Sequence, residues 1–198
     1  MSQKSDEAML KELQQNTFNY FLCYGNEDNG LIADSSRQDS PVSITAVGLT
    51  LGSYPVAVER GFLSRQEAVD KTLRALRFFW QSPQGPEPNA TGYKGFYYHF
   101  LDMDTGRRAI NSELSTIDTT FLIVGAFTAA QYFDRDTAEE QEIRQLADNL
   151  YRRLDWEWVR AGRPLVSHGW RPEEGFLKGN WEGYTEALLL YVLALASP

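Results

Sequence analysis

The sequence predicts an all-α protein, three pairs of helices set as an α/α toroid with a short β-hairpin over its open end. Three observations predict it. Six stretches carry helical patterns, these alternate between amphipathic and apolar all round, and the apolar ones begin about 70 residues apart. Outer amphipathic helices wrapped around an inner ring of buried ones satisfy all three.

Taken in order, the first helix covers about residues 5–22 and is amphipathic, and the second, 43–58, reads SITAVGLTLGSYPVAV and offers no polar face. The third, 65–80, opens on the capping box Ser64-Arg65-Gln66-Glu67. It places Ala68, Leu73, Leu76 and Phe79 on one face, away from Arg65, Asp70, Arg74 and Arg77. Residues 96–111 then read as a hairpin turning at Met103-Asp104-Thr105-Gly106. The fourth helix, 115–133, contains TFLIVGAFTAA and is apolar all round. The fifth, 137–156, repeats Ile143, Leu146, Leu150 and Leu154 at helical spacing, with Arg152 and Arg153 near its end as the macrodipole favours. A loop over 162–180, centred on Gly169-Trp170-Arg171-Pro172-Glu173, leads to the sixth helix, 183–196, with its run ALLLYVLALA.

The 198 residues suffice for one domain with a sizeable core, and 42% apolar against 23% charged is a globular composition. A net charge of −8, from 27 acidic and 19 basic residues, excludes a nucleic-acid binder, since no basic cluster is present to neutralise phosphates. Cys23 is the only cysteine, so no internal disulfide forms. No apolar run approaches the ~20 residues of a membrane span. The N-terminus, MSQKSDEAMLKELQQ, lacks the apolar stretch of a signal peptide. That implies a cytoplasmic protein if Met1 is the natural start, and a periplasmic or secreted one if it is not.

Polar residues gather where the inner helices begin, at Ser40 and Ser43, at Glu113 to Asp118, and at Trp181 to Glu186. In a toroid those starts share one end, where the loops line a cleft. Between Gly92 and Thr119, Tyr93, Phe96, Tyr97, Tyr98, His99 and Phe100 stand close to Asp102, Asp104, Glu113 and Asp118. Rings that stack on pyranose faces and acids that move protons or hold hydroxyls are what a carbohydrate site needs.

Each candidate also has a structural reading. Glu113, just before the fourth helix, is a proton donor or water activator, or else a carboxylate favoured by the helix dipole. Asp118 follows Ser115 at capping-box spacing and suits a base or a hydroxyl acceptor equally with a cap. Glu186 faces a long apolar run, so it meets a partner, a water or a ligand. Asp102 binds sugar or pairs with Arg107, whereas Asp104 is a turn residue. His99 belongs to core or site, and His168 likewise. Two histidines this far apart make no metal centre. Trp170 and Trp181 stand beside glycines in loops, which suits stacking on sugar. Glu173 braces its loop. The sequon Asn89-Ala90-Thr91 is a chance match.

The segments GYKGFYYHFLDMDTG, SELSTIDT, LYRRLDWEW, HGWRPEEGF and GYTEALLLYVLALASP, with ERGFLSRQEA and GLIADSS before them, resemble in order and spacing the bacterial glucoamylase-like family that includes the endo-β-1,2-glucanases. The resemblance spans the chain. It implies an (α/α)6 barrel and inverting hydrolysis of glucan, β-1,2-glucan being the best-defined substrate. It also implies that residues 1–198 form the N-terminal half of a single barrel domain, because six of twelve helices are accounted for. Thr185 stands where the family's motif has Asn. On this reading Glu113, Glu186 and Asp118 are catalytic, and Tyr98, His99, Asp102, Arg107, Trp170, Trp181 and Tyr184 contact substrate. No cofactor or metal is implied, the partner is a glucan oligosaccharide or polysaccharide, and the exposed edge of a half-barrel invites self-association. The rival readings are a non-catalytic glucan-binding module, a module of a cyclic β-glucan-synthesising protein, and a helical scaffold.

Overall fold

The computed structural model of the protein describes residues 5–198, so the first four residues of the polar N-terminal stretch lie outside the described residues. Each of the six helical patterns folds as a helix: α1 (Asp6–Cys23), α2 (Ile44–Glu59), α3 (Arg65–Gln81), α4 (Thr116–Tyr132), α5 (Ala138–Arg152) and, last in the chain, α7 (Ala187–Ala196). Between the last two lies a short α6 (Trp156–Arg160), which the sequence reading misses, ending its fifth helix at residue 156. The chain separates them because Asp155 accepts from the Trp158 backbone N–H at 2.9 Å, capping a new helix, while its own N–H donates to the Lys94 carbonyl. The capping box of α3 forms in full, with Ser64 and Glu67 each accepting the other's backbone N–H.

The apolar helices meet most closely. α4 packs against α2, α5 and α7, and α3 packs against α2 and α5. Where α2 crosses α4, Gly48 and Gly125 let the two backbones touch: a Cβ on Gly125 would stand 1.9 Å from the Gly48 carbonyl oxygen. Only glycine fits. The helix ends are tied by charge as well. Arg65, at the start of α3, grips the buried Glu140 of α5 through two 2.8 Å hydrogen bonds and donates to the Tyr132 carbonyl at the end of α4.

Two small sheets join the helix starts at one end. A five-stranded antiparallel sheet runs in the order β2 (Gly92–Tyr93), β3 (Phe96–Tyr98), β5 (Leu114–Ser115), β6 (Gly169–Arg171), β7 (Gly175–Phe176). A second pairs β1 (Val42–Ser43) with β4 (Phe100–Leu101). Strand β1 leads straight into α2, and β5 straight into α4, so the sheets fix those two N-termini side by side.

The predicted hairpin over 96–111 takes a different form. Its first arm is split between the two sheets, and a single antiparallel bridge, Leu101 to Arg108, spans the turn. The reason is burial. Phe96, Tyr97 and Tyr98 are all fully buried, as befits a strand with neighbours on both sides rather than the arm of an exposed ribbon.

Helix α7 buries Ala187, Leu190 and Leu193 and leaves Leu188, Leu189, Val192 and Leu195 exposed, Leu195 at 89%. By contrast Val47 and Leu51 of α2 lie inside. No helix among the described residues is long and apolar enough to cross a membrane.

Candidate active site

The chain reaches Glu113 one residue before β5, and the strand's last residue, Ser115, caps α4. His99 sits in the gap between β3 and β4. Its backbone N–H donates to the Glu113 carbonyl at 2.9 Å and its carbonyl accepts from the Ile44 N–H at 3.2 Å. One residue thereby links the starts of α2 and α4.

The side chains converge as the backbone does. His99 Nδ1 lies 3.1 Å from Glu113 Oε1 and 3.6 Å from Asp118 Oδ2. The imidazole stacks on the Phe100 ring, centroids 3.9 Å apart and 15° from parallel. Asp118 Oδ1 accepts from the Thr45 hydroxyl of α2 at 2.6 Å, and its Oδ2 takes a very short bond from the Ser115 hydroxyl. The Ser115–Asp118 cap thus differs from a full capping box, because the carboxylate returns to the hydroxyl instead of the backbone. On the far side of Glu113, Arg171 Nη2 of β6 stands 3.7 Å from Oε2.

These contacts set the charges. The His99 hydrogen bond, helped by the His99 and Arg171 charges, outweighs burial and brings the Glu113 carboxyl down to about 2. Burial pushes the His99 imidazole down, but the hydrogen bond to Glu113 and the charges of Asp118, Glu113 and Asp34 outweigh it, leaving the ring raised above its usual value. These contacts favour an imidazolium facing a carboxylate. The ligand atoms of His99, Glu113 and Asp118 all lie within 4.8 Å of one another, spacing that a cation could use. A metal would take the neutral ring and so compete with the proton that the carboxylates favour there. The arrangement suits proton and hydroxyl chemistry.

Aromatic rings pack around β6 and the loop that follows it. Trp170 pairs with Leu114 across the sheet and meets Tyr93 and Trp158 at 5.4 and 5.6 Å, and Trp158 in turn meets Phe176 at 4.9 Å. Trp181 donates from Nε1 to the Thr116 hydroxyl at 2.9 Å and packs on His168.

Other residues named from the sequence stand apart. Tyr98 is fully buried beneath the Arg108 guanidinium, so it presents no face to a ligand here. Asp102 spends its carboxylate on Thr105, accepting from its N–H and its hydroxyl, which closes the turn. Of the two roles read from the sequence, sugar binding or pairing with Arg107, the carboxylate pairing is not made among the described residues, for the Arg107 side chain reaches the Asn89 carbonyl instead. Tyr184 is 89% exposed. Glu186 is exposed too, and its side chain makes no hydrogen bond or ion pair among the described residues. Solvent meets the need for a partner that its apolar neighbours create.

Thr45, Arg171 and Arg108 escaped the sequence reading. Arg108 donates from Nε to the Ser112 carbonyl, next to Glu113, and holds Glu173 with both terminal nitrogens. That clamp ties the 162–180 loop to the site, and Glu173 is its brace. Two large grooves lie away from the cluster. One of about 720 Å³ runs beside Asp70, Arg74 and Arg77, and one of about 690 Å³ runs between α2, α4 and α7.

No protein-family model matches the chain. The chain is 26% identical, over 204 aligned positions, to the exo β-1,2-glucooligosaccharide sophorohydrolase (non-reducing end) of Parabacteroides distasonis, with 98% of this chain and 27% of that protein covered. The fold matches the crystal structure of a β-1,2-glucanase from the same organism with a TM-score of 0.87 at 25% identity, over 100% of this chain and 28% of the other. Its relatives are glucoamylase-like and β-1,2-glucan-hydrolysing proteins. A candidate glucoamylase from Bacteroides uniformis gives a TM-score of 0.88 at 25% identity, over 100% of this chain and 48% of the other. The chain thus spans between about a quarter and about half of the length of these glucanase-like relatives.

Proposed function

We propose that residues 1–198 are the N-terminal half of an α/α-toroid glycoside hydrolase that cleaves β-1,2-glucan, within the chain and with inversion. The observation that carries this reading is Glu113, ionised and flanked by His99 and Arg171 where α4 begins. The names of the relatives supply the substrate.

The geometry divides the labour. A carboxyl with a pKa of about 2 carries no proton to donate near neutrality, so Glu113 takes the part of base or hydroxyl acceptor rather than acid. Inversion calls for a second carboxyl about 6.5–9.5 Å from the first, leaving room for a water. Glu186, at the mouth of α7, is the second carboxylate of this proposal. Asp118, with both oxygens engaged by hydroxyls, holds the two inner helix starts in register. Trp170 and Trp181 offer the stacking faces. The far wall of the cleft would come from the remaining helices of the toroid, which would also cover the apolar side of α7. Left bare, that side is a surface for self-association.

Glu113→Gln and Glu186→Gln, placed in the natural protein and assayed for reducing ends on β-1,2-glucan, test the assignment. Each should lower turnover by about 10²–10⁴-fold with substrate binding largely kept. Near-normal turnover in Glu113→Gln would end this reading. Glucan binding without hydrolysis in the unmutated protein would favour the non-catalytic module.

A further inference from the structure

Glu113 acts in the proposed reaction only if one oxygen is held while the other stays available, and among the described residues one side chain makes a short contact for that purpose. Its Oε1 meets His99 Nδ1 at 3.1 Å, whereas Arg171 is too distant from Oε2, at 3.7 Å, for a good hydrogen bond. The histidine itself has little freedom. Its backbone is bonded on one side to Glu113 and on the other to Ile44, and its ring lies flat on Phe100. An ionised carboxylate only accepts, so Nδ1 must carry a hydrogen. The other ring nitrogen, Nε2, has no partner among the described residues and is not a buried orphan, so it opens towards solvent.

The charges around the ring come from separate elements. Glu113 precedes β5, Asp118 belongs to α4, and Asp34 lies in the loop ahead of β1. The cation Arg171 of β6 is directed at Glu113. Asp118 is too far, at 3.6 Å, to share the Nδ1 hydrogen well, and its oxygens are already served by Thr45 and Ser115. It contributes charge. Glu113 receives the bond.

We infer that His99 is the positioning residue of this site: Nδ1–H fixes one Glu113 oxygen, so that the carboxylate meets a water or a sugar hydroxyl in one orientation. The inference rests on the proposed role of Glu113, yet it has a readout that needs no turnover. The expected role is distinct from substrate contact, for the working atom is Nδ1, which faces Glu113.

Two substitutions separate the ring's nitrogens. In His99→Asn the amide N–H falls near the place of Nδ1, and in His99→Gln it falls near that of Nε2. Carboxyl-detected carbon NMR on the protein should show wild-type Glu113 titrating at about 2. His99→Gln should move that value towards the ordinary ~4.3, and His99→Asn should move it less. Turnover on β-1,2-glucan should follow the same order, with His99→Gln losing about 100-fold in kcat and His99→Asn partly restored. Should a variant fail to fold, the wild-type His99 proton and nitrogen resonances still decide: they should titrate above the ordinary imidazole value and fall back in Glu113→Gln. An unmoved Glu113 in His99→Gln, or equal effects in the two variants, overturns the inference. If the NMR results hold and the natural protein cleaves no β-1,2-glucan, the hydrolase reading fails while the His99–Glu113 contact stands.

Discussion

His99 and Glu113 tie stability to pH in a way that can be signed. The folded-state value of Glu113, about 2, lies below its usual 4.5, so its contribution is complete above about pH 4.5 and is lost as pH falls through 2. The His99 value is raised above 6.5, so its contribution is complete below about pH 6.5 and is lost as pH rises through the raised value. Both act together between about pH 4.5 and about 6.5. Urea unfolding of wild type and Glu113→Gln should therefore show a stability gap that is widest there and narrows on both sides. A gap independent of pH would show that the pair is not coupled to folding. Glu113 and Asp118 could be read from the sequence because both mark the start of an apolar helix. Thr45 could not, since its bond to Asp118 joins residues 73 apart and depends on how two helices cross. Arg171 was visible only as part of a loop. Its place beside Glu113 exists because β6 pairs with β5.

At the scale of elements, the close crossing of α2 and α4 sets the distance between the two helix starts, and with it the Thr45–Asp118 contact. Gly125→Ala gains helix propensity, up to about 1 kcal/mol. It also drives a methyl to 1.9 Å from a backbone oxygen, and backbone cannot rotate aside as a side-chain tip can. Overpacking of this kind costs about 1–3 kcal/mol or more, so the variant should be less stable on balance. Gly52→Ala, in the same helix α2, meets nothing nearer than a Thr128 methyl at 4.0 Å. It should raise stability by up to about 1 kcal/mol. Thermal unfolding of the two variants tests the geometry, and similar shifts in both would refute it. The six long helices were legible because each repeats its apolar pattern over several turns. The strands were not: most are two residues long, too short to show alternation, and they exist through pairing with distant partners. The five-residue α6 escaped for a related reason, since little more than one turn that buries only Trp156 and Val159 is too short to show a helical repeat.

At the scale of the molecule, charge and apolar surface lie in different places. The His99–Glu113–Asp118 cluster is polar and stands at the end where the sheets gather the helix starts. The groove between α2, α4 and α7 is lined by Pro55, Val124, Phe127, Leu189, Val192 and Leu193, with only Thr128, Gln131 and the Tyr132 hydroxyl to soften it. Its edge continues into Leu188 and Leu195, both exposed. At about 25 cal/mol per Å², a few hundred Å² of such surface withdrawn from water is worth several kcal/mol, enough to favour association at ordinary protein concentrations. The net charge of −8 opposes contact, and added salt screens that repulsion. Residues 1–198 prepared alone should therefore sediment as a concentration-dependent mixture whose larger species grow with salt. Val192→Glu places a charge in the middle of the patch without touching Leu190, which is fully buried, and should return the protein to a monomer with its helical circular dichroism intact. A wild-type chain that stays monomeric at high salt, or a Val192→Glu variant that associates as strongly as wild type, would mean that this face does not drive association.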